Sequence, residues 1–314
     1  MSNNYFKVIR PGINSTFQDK GRSNLYHLGI PFSGAMDNRN YLLANKLVQN
    51  DLNSPVIEFA YQGPHLKYVG EKINIAITGN VSFKIKSKNL EIDGNCYETY
   101  EINNEDEIDI LSTNKSVYGY LSLSGKLDVN YQWGSCSTNT KSNIGANNGK
   151  KLQDRQSIKI FKINKDLKKK RINYFNSKIE KIRVVKGTNF NFFSETAIND
   201  FFKKEFRISK LSDRMGMRLE GPKLENINNT NIKSEGLIKG VIQVPGDGNP
   251  IIMLSDHGTI GGYPKIAVII SADYDRLVQL PSGTKLKFQQ VELSDAETLF
   301  KMYEMETQNI LNQI

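Results

Sequence analysis

The apolar runs of this chain are short, rich in β-branched and aromatic residues, and closed off repeatedly by Gly, Asn or Pro. "YFKVI" (5–9), "VIEFAY" (56–61), "INIAIT" (73–78), "VSFKI" (81–85), "VYGYLSL" (117–123) and "SIKIFKI" (157–163) form one series. A second comprises "IRVV" (182–185), "MRL" (217–219), "VIQV" (241–244), "PIIML" (250–254), "IAVII" (266–270), "LVQL" (277–280) and "LKF" (286–288). Such runs fit strands, which seat branched side chains on a pleated surface, and are too short for buried helices.

Helical signals are few. Asp37 can cap "NRNYLLANKLVQN", with Tyr41, Ala44 and Val48 on one face and Leu47 beside them. Ser194 can cap "ETAINDFFKK", turning Ala197, Phe201 and Phe202 inward. Ser294 followed by Glu297 reads as a capping box for a last helix carrying Leu299, Phe300 and Tyr303. Two strand series with one or two helices each predict a mainly β chain of two barrel-like domains in tandem. A length of 314 residues suits two domains. The basic run "KDLKKKRINYFNSK" (165–178) is the expected join, giving domains over 1–170 and 178–314. "QGPHL" (62–66) and "EGPKL" (220–224) share Gly-Pro-x-Leu after a strand, which either an internal duplication or reuse of turn chemistry produces.

Charge and motif content exclude several function classes. The net charge of +9 favours an anionic partner, or reflects a composition biased toward Lys, Asn and Ile. The basic run holds few aromatics to stack bases, so it reads as a solvated linker and no nucleic-acid partner is expected. Cys96 and Cys136, far apart and in no metal-ligand spacing, read as reduced thiols. With no apolar leader and no run of membrane-span length, a soluble, cytoplasmic protein without membrane contact is expected. Three histidines (His27, His65, His257) do not make a multi-histidine centre, and no metal site is expected. "GANNGKK" (145–151) is one spacer short of a phosphate-binding loop and lacks the Ser/Thr for Mg²⁺. GxSxG, HExxH and the dinucleotide fingerprint are absent. Ser135-Cys136-Ser137 reads as a buried cysteine in a Ser-rich loop, because the sequence places no histidine beside it. A methionine-framed lysine for biotin is missing, so carboxyl transfer would need biotin from another chain.

What remain are polar clusters on glycine-containing turns. "QDKGR" (18–22) sets Gln18, Asp19 and Arg22 around Gly21, and "FSGAMDNR" (32–39) leads into a helix N-terminus that favours an anion. "LSDRMGMRLEGP" (211–222) holds Asp213, Arg214, Arg218 and Glu220, whose plainest role is pinning turns by ion pairs. "GDGNPIIMLSDHGTIGGYP" (246–264) adds Asp247, Asp256, His257, Thr259 and Tyr263. Glycines between charged residues let backbone amides approach a ligand closely.

In chain order, "RPGINSTFQDKGR", "GIPFSGAMDNR…LANKLVQN", "IEFAYQGPHL", "SDRMGMRLEGP", "IQVPGDGNPIIMLSDHGTIGGYPKIAVIISAD" and "LVQL" resemble the signature segments of one family. It is the family of the C component of bacterial 5-oxoprolinase, also called allophanate hydrolase subunit 2, kinase-inhibitor antagonist or biotin-dependent carboxyltransferase-like. The resemblance implies two tandem cyclophilin-like β-barrel domains, partner subunits A and B with B in direct contact, and ATP-driven opening of the 5-oxoproline (pyroglutamate) lactam to glutamate. ATP with Mg²⁺ would be bound at the level of the complex, with no covalent biotin in this chain. Two alternatives stay open. One is a carboxyltransferase half of a urea-carboxylase-like system; the other is a non-enzymatic partner of a kinase inhibitor. The sequence departs from the family pattern at Ser23-Asn24, in the loop 145–156, and at Gly258 and Ile260, where Gln and Thr are usual. These changes bear on the substrate more than on the fold.

A lactam is a poor electrophile, so its opening calls for activation, cations and N–H donors for the developing charge, and a clamp for the substrate carboxylate. Under this resemblance Arg22, Arg214 and Arg218 are the expected anion clamps. Asp213 and Asp247 would act as catalytic groups orienting those arginines or a water, with Tyr263 as wall and donor. Gln18, Gln243, Thr259, Gly261 and Gly262 complete the expected substrate contacts. All are expected to line one positively charged pocket.

Overall fold

The computed structural model describes residues 4–88, 90–164, 168–174, 179, 181–227 and 231–314. The chain divides into two units, and neither is one stretch of sequence. The first comprises Met1–Arg22, Asp37–Phe175 and Gln308–Ile314; the second comprises Ser23–Met36 and Asn176–Thr307. The join expected at 165–178 lies partly outside the described residues.

Two sheets make the first unit. One orders its seven described strands Lys126–Leu127, Ser157–Phe161, Asn4–Arg10, His65–Val69, Glu107–Thr113, Val81–Ser87, Leu90–Gly94. The other orders five: Thr16–Gln18, Val56–Ala60, Tyr118–Leu123, Ile73–Thr78, Thr99–Ile102. Val81, Phe83 and Ile85 turn inward from one strand and Ile73, Ile75 and Ile77 from another, so alternate residues of both sheets fill one core. Helix α1 (Asn38–Leu47) opens where Asp37 accepts from Asn40 N. Its Leu43 and Leu47, with Val48 just beyond, pack with Ala76, Tyr97, Ile172 and Leu311.

The second unit is a closed barrel in the order Lys181–Lys186, Lys265–Ile269, Val241–Gln243, Ile251–Met253, Gly216–Glu220, Phe206–Ile208, Lys285–Gln290. Closure comes from parallel pairing of Lys181–Lys186 with Lys285–Gln290. A short ribbon, Glu235–Gly236 against Ile260–Gly261, stands beside it. Helix α2 (Glu195–Lys203), capped by Ser194, buries Phe201 stacked on Phe288 at 4.4 Å, while Phe202 is only half-buried.

Two expectations need correction. "LVQL" is no strand: Leu277 and Val278 end helix α3 (Ser271–Val278), with Tyr274, Leu277 and Val278 buried at helical spacing. Asp273, fully buried in its first turn, accepts from Arg183 N at 2.8 Å and Arg183 Nε at 3.0 Å. Helix α4 (Leu293–Asn312) begins one residue ahead of Ser294, which is therefore inside the helix and not its cap. Among the described residues no helix is long and apolar enough to cross a membrane.

Candidate functional site

Each unit builds its own polar cluster. In the first, Asp19 follows the strand Thr16–Gln18 and is almost wholly buried. One carboxylate oxygen accepts from Ser135 Oγ (2.5 Å), Ser137 Oγ (2.6 Å) and Gly21 N (2.9 Å); the other accepts from Cys136 N (2.8 Å). Burial pushes this carboxyl's pKa up, but those donors outweigh it and hold the group below its ordinary range. Asp19 is thus a fixed anion tying the 18–22 turn to the 135–137 loop. Burial, with Asp19 alongside, raises the Cys136 thiol well above its usual value, and Cys136 is buried as the sequence leads one to expect.

Gln18 and Arg22 share this loop. Gln18 Nε2 donates to Thr16 Oγ1 and Thr138 O, both at 2.9 Å, while its Oε1 is buried without a hydrogen-bond partner. Arg22 donates to Ser137 O at 2.5 Å and to Gln132 O at 3.3 Å. Gly145 lets these groups close up: at φ +94°, its Cβ would lie 2.0 Å from Ser137 O and 2.8 Å from Arg22 Nη2.

Arg214 dominates the second unit's cluster. Its guanidinium grips Asp256 with two donors (2.8 and 3.1 Å) and donates to Gly34 O at 2.7 Å; Asp256 N donates back to Arg214 O. Both side chains are nearly inaccessible. The residue expected as an anion clamp is thus a tie holding the segment 23–36 and the turn 254–257 to the barrel, with Ser33 N donating to Ser255 O at 2.9 Å.

The other expected residues of this unit fall into separate groups. Gln243 Nε2 donates to Tyr263 O, and Gly261 lies so close to that amide that a Cβ would meet Nε2 at 2.6 Å. Thr259 O accepts from Leu237 N, and a Cβ on Gly262 would come within 3.2 Å of Ile232 O. Asp213 turns its carboxylate onto the N–H groups of Met215 and Gly216; Arg218 is exposed on its strand. Asp247 accepts from Asn249 Nδ2 and N, which lower its pKa, and lines a cleft of about 430 Å³ with Lys223, Glu225 and Asn226. Neither Arg214 nor Tyr263 lines that cleft.

Two further groups stand near Arg214. His257 Nδ1 is 2.6 Å from Gly258 O, which can only accept, so Nδ1 carries the proton and Nε2 faces the Tyr26 hydroxyl at 3.3 Å. Burial lowers the pKa of this imidazole. Lys239 sets its ammonium 4.3 Å from the Tyr274 ring centroid, and burial pushes its pKa down, with Asp275 opposing and Arg214 reinforcing the shift. Nothing in "IKG" (238–240) marks Lys239, because its neighbours come from distant segments. Among the described residues no group of three or more His, Cys, Asp or Glu gathers to hold a metal ion.

A closed barrel and a two-sheet unit, each with a polar cluster on glycine-containing turns, define a two-subdomain β class, and residues 28–290 match the model of the carboxyltransferase domain, subdomain A and B. The chain belongs to this family, which bears out the resemblance read from the motifs and the tandem β fold it implied. It is 32% identical to the C component of 5-oxoprolinase from Escherichia coli strain K12 over 92% of each chain. It is 27% identical to urea amidolyase of Saccharomyces cerevisiae over 93% of its own length but 17% of that protein. The Kluyveromyces lactis urea carboxylase crystal structure superposes with a TM-score of 0.88 at 26% identity, covering 99% of this chain and 29% of that one.

Proposed function

We propose that this chain is one subunit of a cytoplasmic, ATP-dependent hydrolase complex that opens the lactam of 5-oxoproline to glutamate, with partners equivalent to subunits A and B and B in direct contact. The observation that carries the reading is the match to the E. coli 5-oxoprolinase component over 92% of both chains, against 17% of the yeast urea amidolyase. ATP and Mg²⁺ are assigned to the complex. Among the described residues no three His, Cys, Asp or Glu side chains gather to hold a metal ion.

The chemistry asked of this chain is to bind and orient. In the first unit Gln18 Oε1 is buried without a hydrogen-bond partner and Arg22 is tied to Ser137 O, so these two side chains order the 18–22 loop. Gln243 fixes the Gly261–Tyr263 backbone as a close-approach surface. Arg214 acts through Asp256 as a positioning residue. Asp213 and Asp247 accept from neighbouring backbone N–H groups, Thr259 O accepts from Leu237 N and Arg218 is exposed, and no role in the chemistry is assigned to these four residues.

Mixing this chain with subunits A and B, 5-oxoproline and ATP is expected to release glutamate, with no release when any one component is left out. Glutamate production unaffected by omitting this chain would remove the proposal. Carboxyl transfer is the second reading, favoured by the family model and the urea carboxylase superposition. It predicts turnover only with a biotin-bearing partner.

A further inference from the structure

We propose that Lys239 is the cation of the second unit that takes a small carboxylate, the carboxylate of the lactam substrate under the function proposed above. Arg214, the cation expected in that role, is committed to Asp256 and Gly34 O. Lys239 is not committed. Its side chain is half-buried, its ammonium lies over the Tyr274 ring at 4.3 Å, and among the described residues it has no hydrogen bond and no carboxylate within ion-pair distance.

The groups around Lys239 leave its charge uncompensated. Arg214 repels it, and the buried imidazole of His257 is held neutral by its own desolvation. Asp275 attracts it from beyond ion-pair distance while holding the Tyr303 hydroxyl at 2.6 Å. The face of Tyr274 offers only its quadrupole. A half-buried ammonium in such surroundings gives up its proton more readily than an exposed one, and an arriving carboxylate offsets the desolvation that disfavours the charged form. One uncompensated positive charge suits a monoanionic carboxylate. Phosphate shares the anionic chemistry and is the alternative source of negative charge.

Trace acetylation of the full chain from neutral to alkaline pH, read peptide by peptide in a mass spectrometer, tests the site without activity. Lys239 should react at lower pH than exposed lysines such as Lys203. Saturating 5-oxoproline should move its profile upward by about one pH unit, which is about tenfold less reactive amine at a fixed pH. A shift with inorganic phosphate but none with 5-oxoproline overturns the carboxylate assignment. A profile like that of Lys203, or one that neither anion moves, overturns the site. Lys239→Met should weaken 5-oxoproline binding to the full chain about tenfold or more while the unfolding midpoint holds, and Lys239→Arg should restore part of it. Wild-type affinity in the Met variant also overturns the proposal. If Lys239 responds to 5-oxoproline but the assembled subunits release no glutamate, the reaction proposed above falls and the site stands.

Discussion

Removing Arg214 tests whether its first duty is structural. An Arg214→Ala variant leaves Asp256 buried and uncompensated, a change that costs about 3–5 kcal/mol. The expected result is a large drop in the denaturant midpoint, and Arg214→Lys, which cannot grip both oxygens, should recover only part of it. A variant as stable as wild type would return Arg214 to the role of a spare clamp. The sequence shows Arg214 next to Asp213 and suggests a local pair, yet its partner is Asp256, forty-two residues on. Contacts of that separation are made by strand pairing and leave no mark on local spacing. Asp19 gives a prediction in pH. Its folded pKa is depressed, so its contribution is present above the ordinary carboxylate range and lost as pH falls through the folded value. Asp19→Asn should therefore be less stable by about 1–3 kcal/mol at neutral pH, with the gap closing below about pH 4. Unfolding both proteins along a pH series measures it, and a gap that widens in acid contradicts the assignment.

Among elements, the ribbon Glu235–Gly236 with Ile260–Gly261 separates two glycines that look alike in the sequence. A Cβ at Gly261 meets Gln243 Nε2 at 2.6 Å and Leu237 Cδ1 at 2.8 Å, whereas at Gly258 it finds only Ile260 O at 3.5 Å. Gly261→Ala should cost about 1–3 kcal/mol and speed hydrogen exchange at Leu237 N, while Gly258→Ala should stay within about 0.5 kcal/mol. Equal behaviour of the two would mean that Gln243 can move aside. Strands with strong β-branched content, such as Ile73–Thr78, were legible in the sequence to the residue. His65–Val69 and Glu107–Thr113 were not, because charged residues alternate with the apolar ones and thin each run below notice. Helix α3 was missed for a related reason: eight residues, no side-chain cap, and an Asp that faces Arg183 instead of solvent.

For the molecule as a whole, the tandem β architecture followed from the count and spacing of apolar runs, and the family followed from motifs built on glycine turns. The grouping of site residues did not follow, since motif adjacency says which turns are special and not which side chains they bring together. Leu311 illustrates what lies beyond local reading. It is 2% exposed and packs with Leu43, Leu47 and Val48, so Leu311→Ala should cost about 2–5 kcal/mol, read from the denaturant midpoint.

The interleaved membership of the two units sets a schedule for synthesis. Residues 23–36 leave the ribosome long before the barrel they belong to, and residues 308–314 arrive after everything else in the first unit. Those early fourteen residues must wait through the birth of a neighbour that is not theirs, and the older unit stays short of Leu311 until residues 308–314 are free. A nascent chain stalled before residue 308 should therefore hold its first unit in a weaker, protease-sensitive form that firms up once residues 308–314 are free to pack.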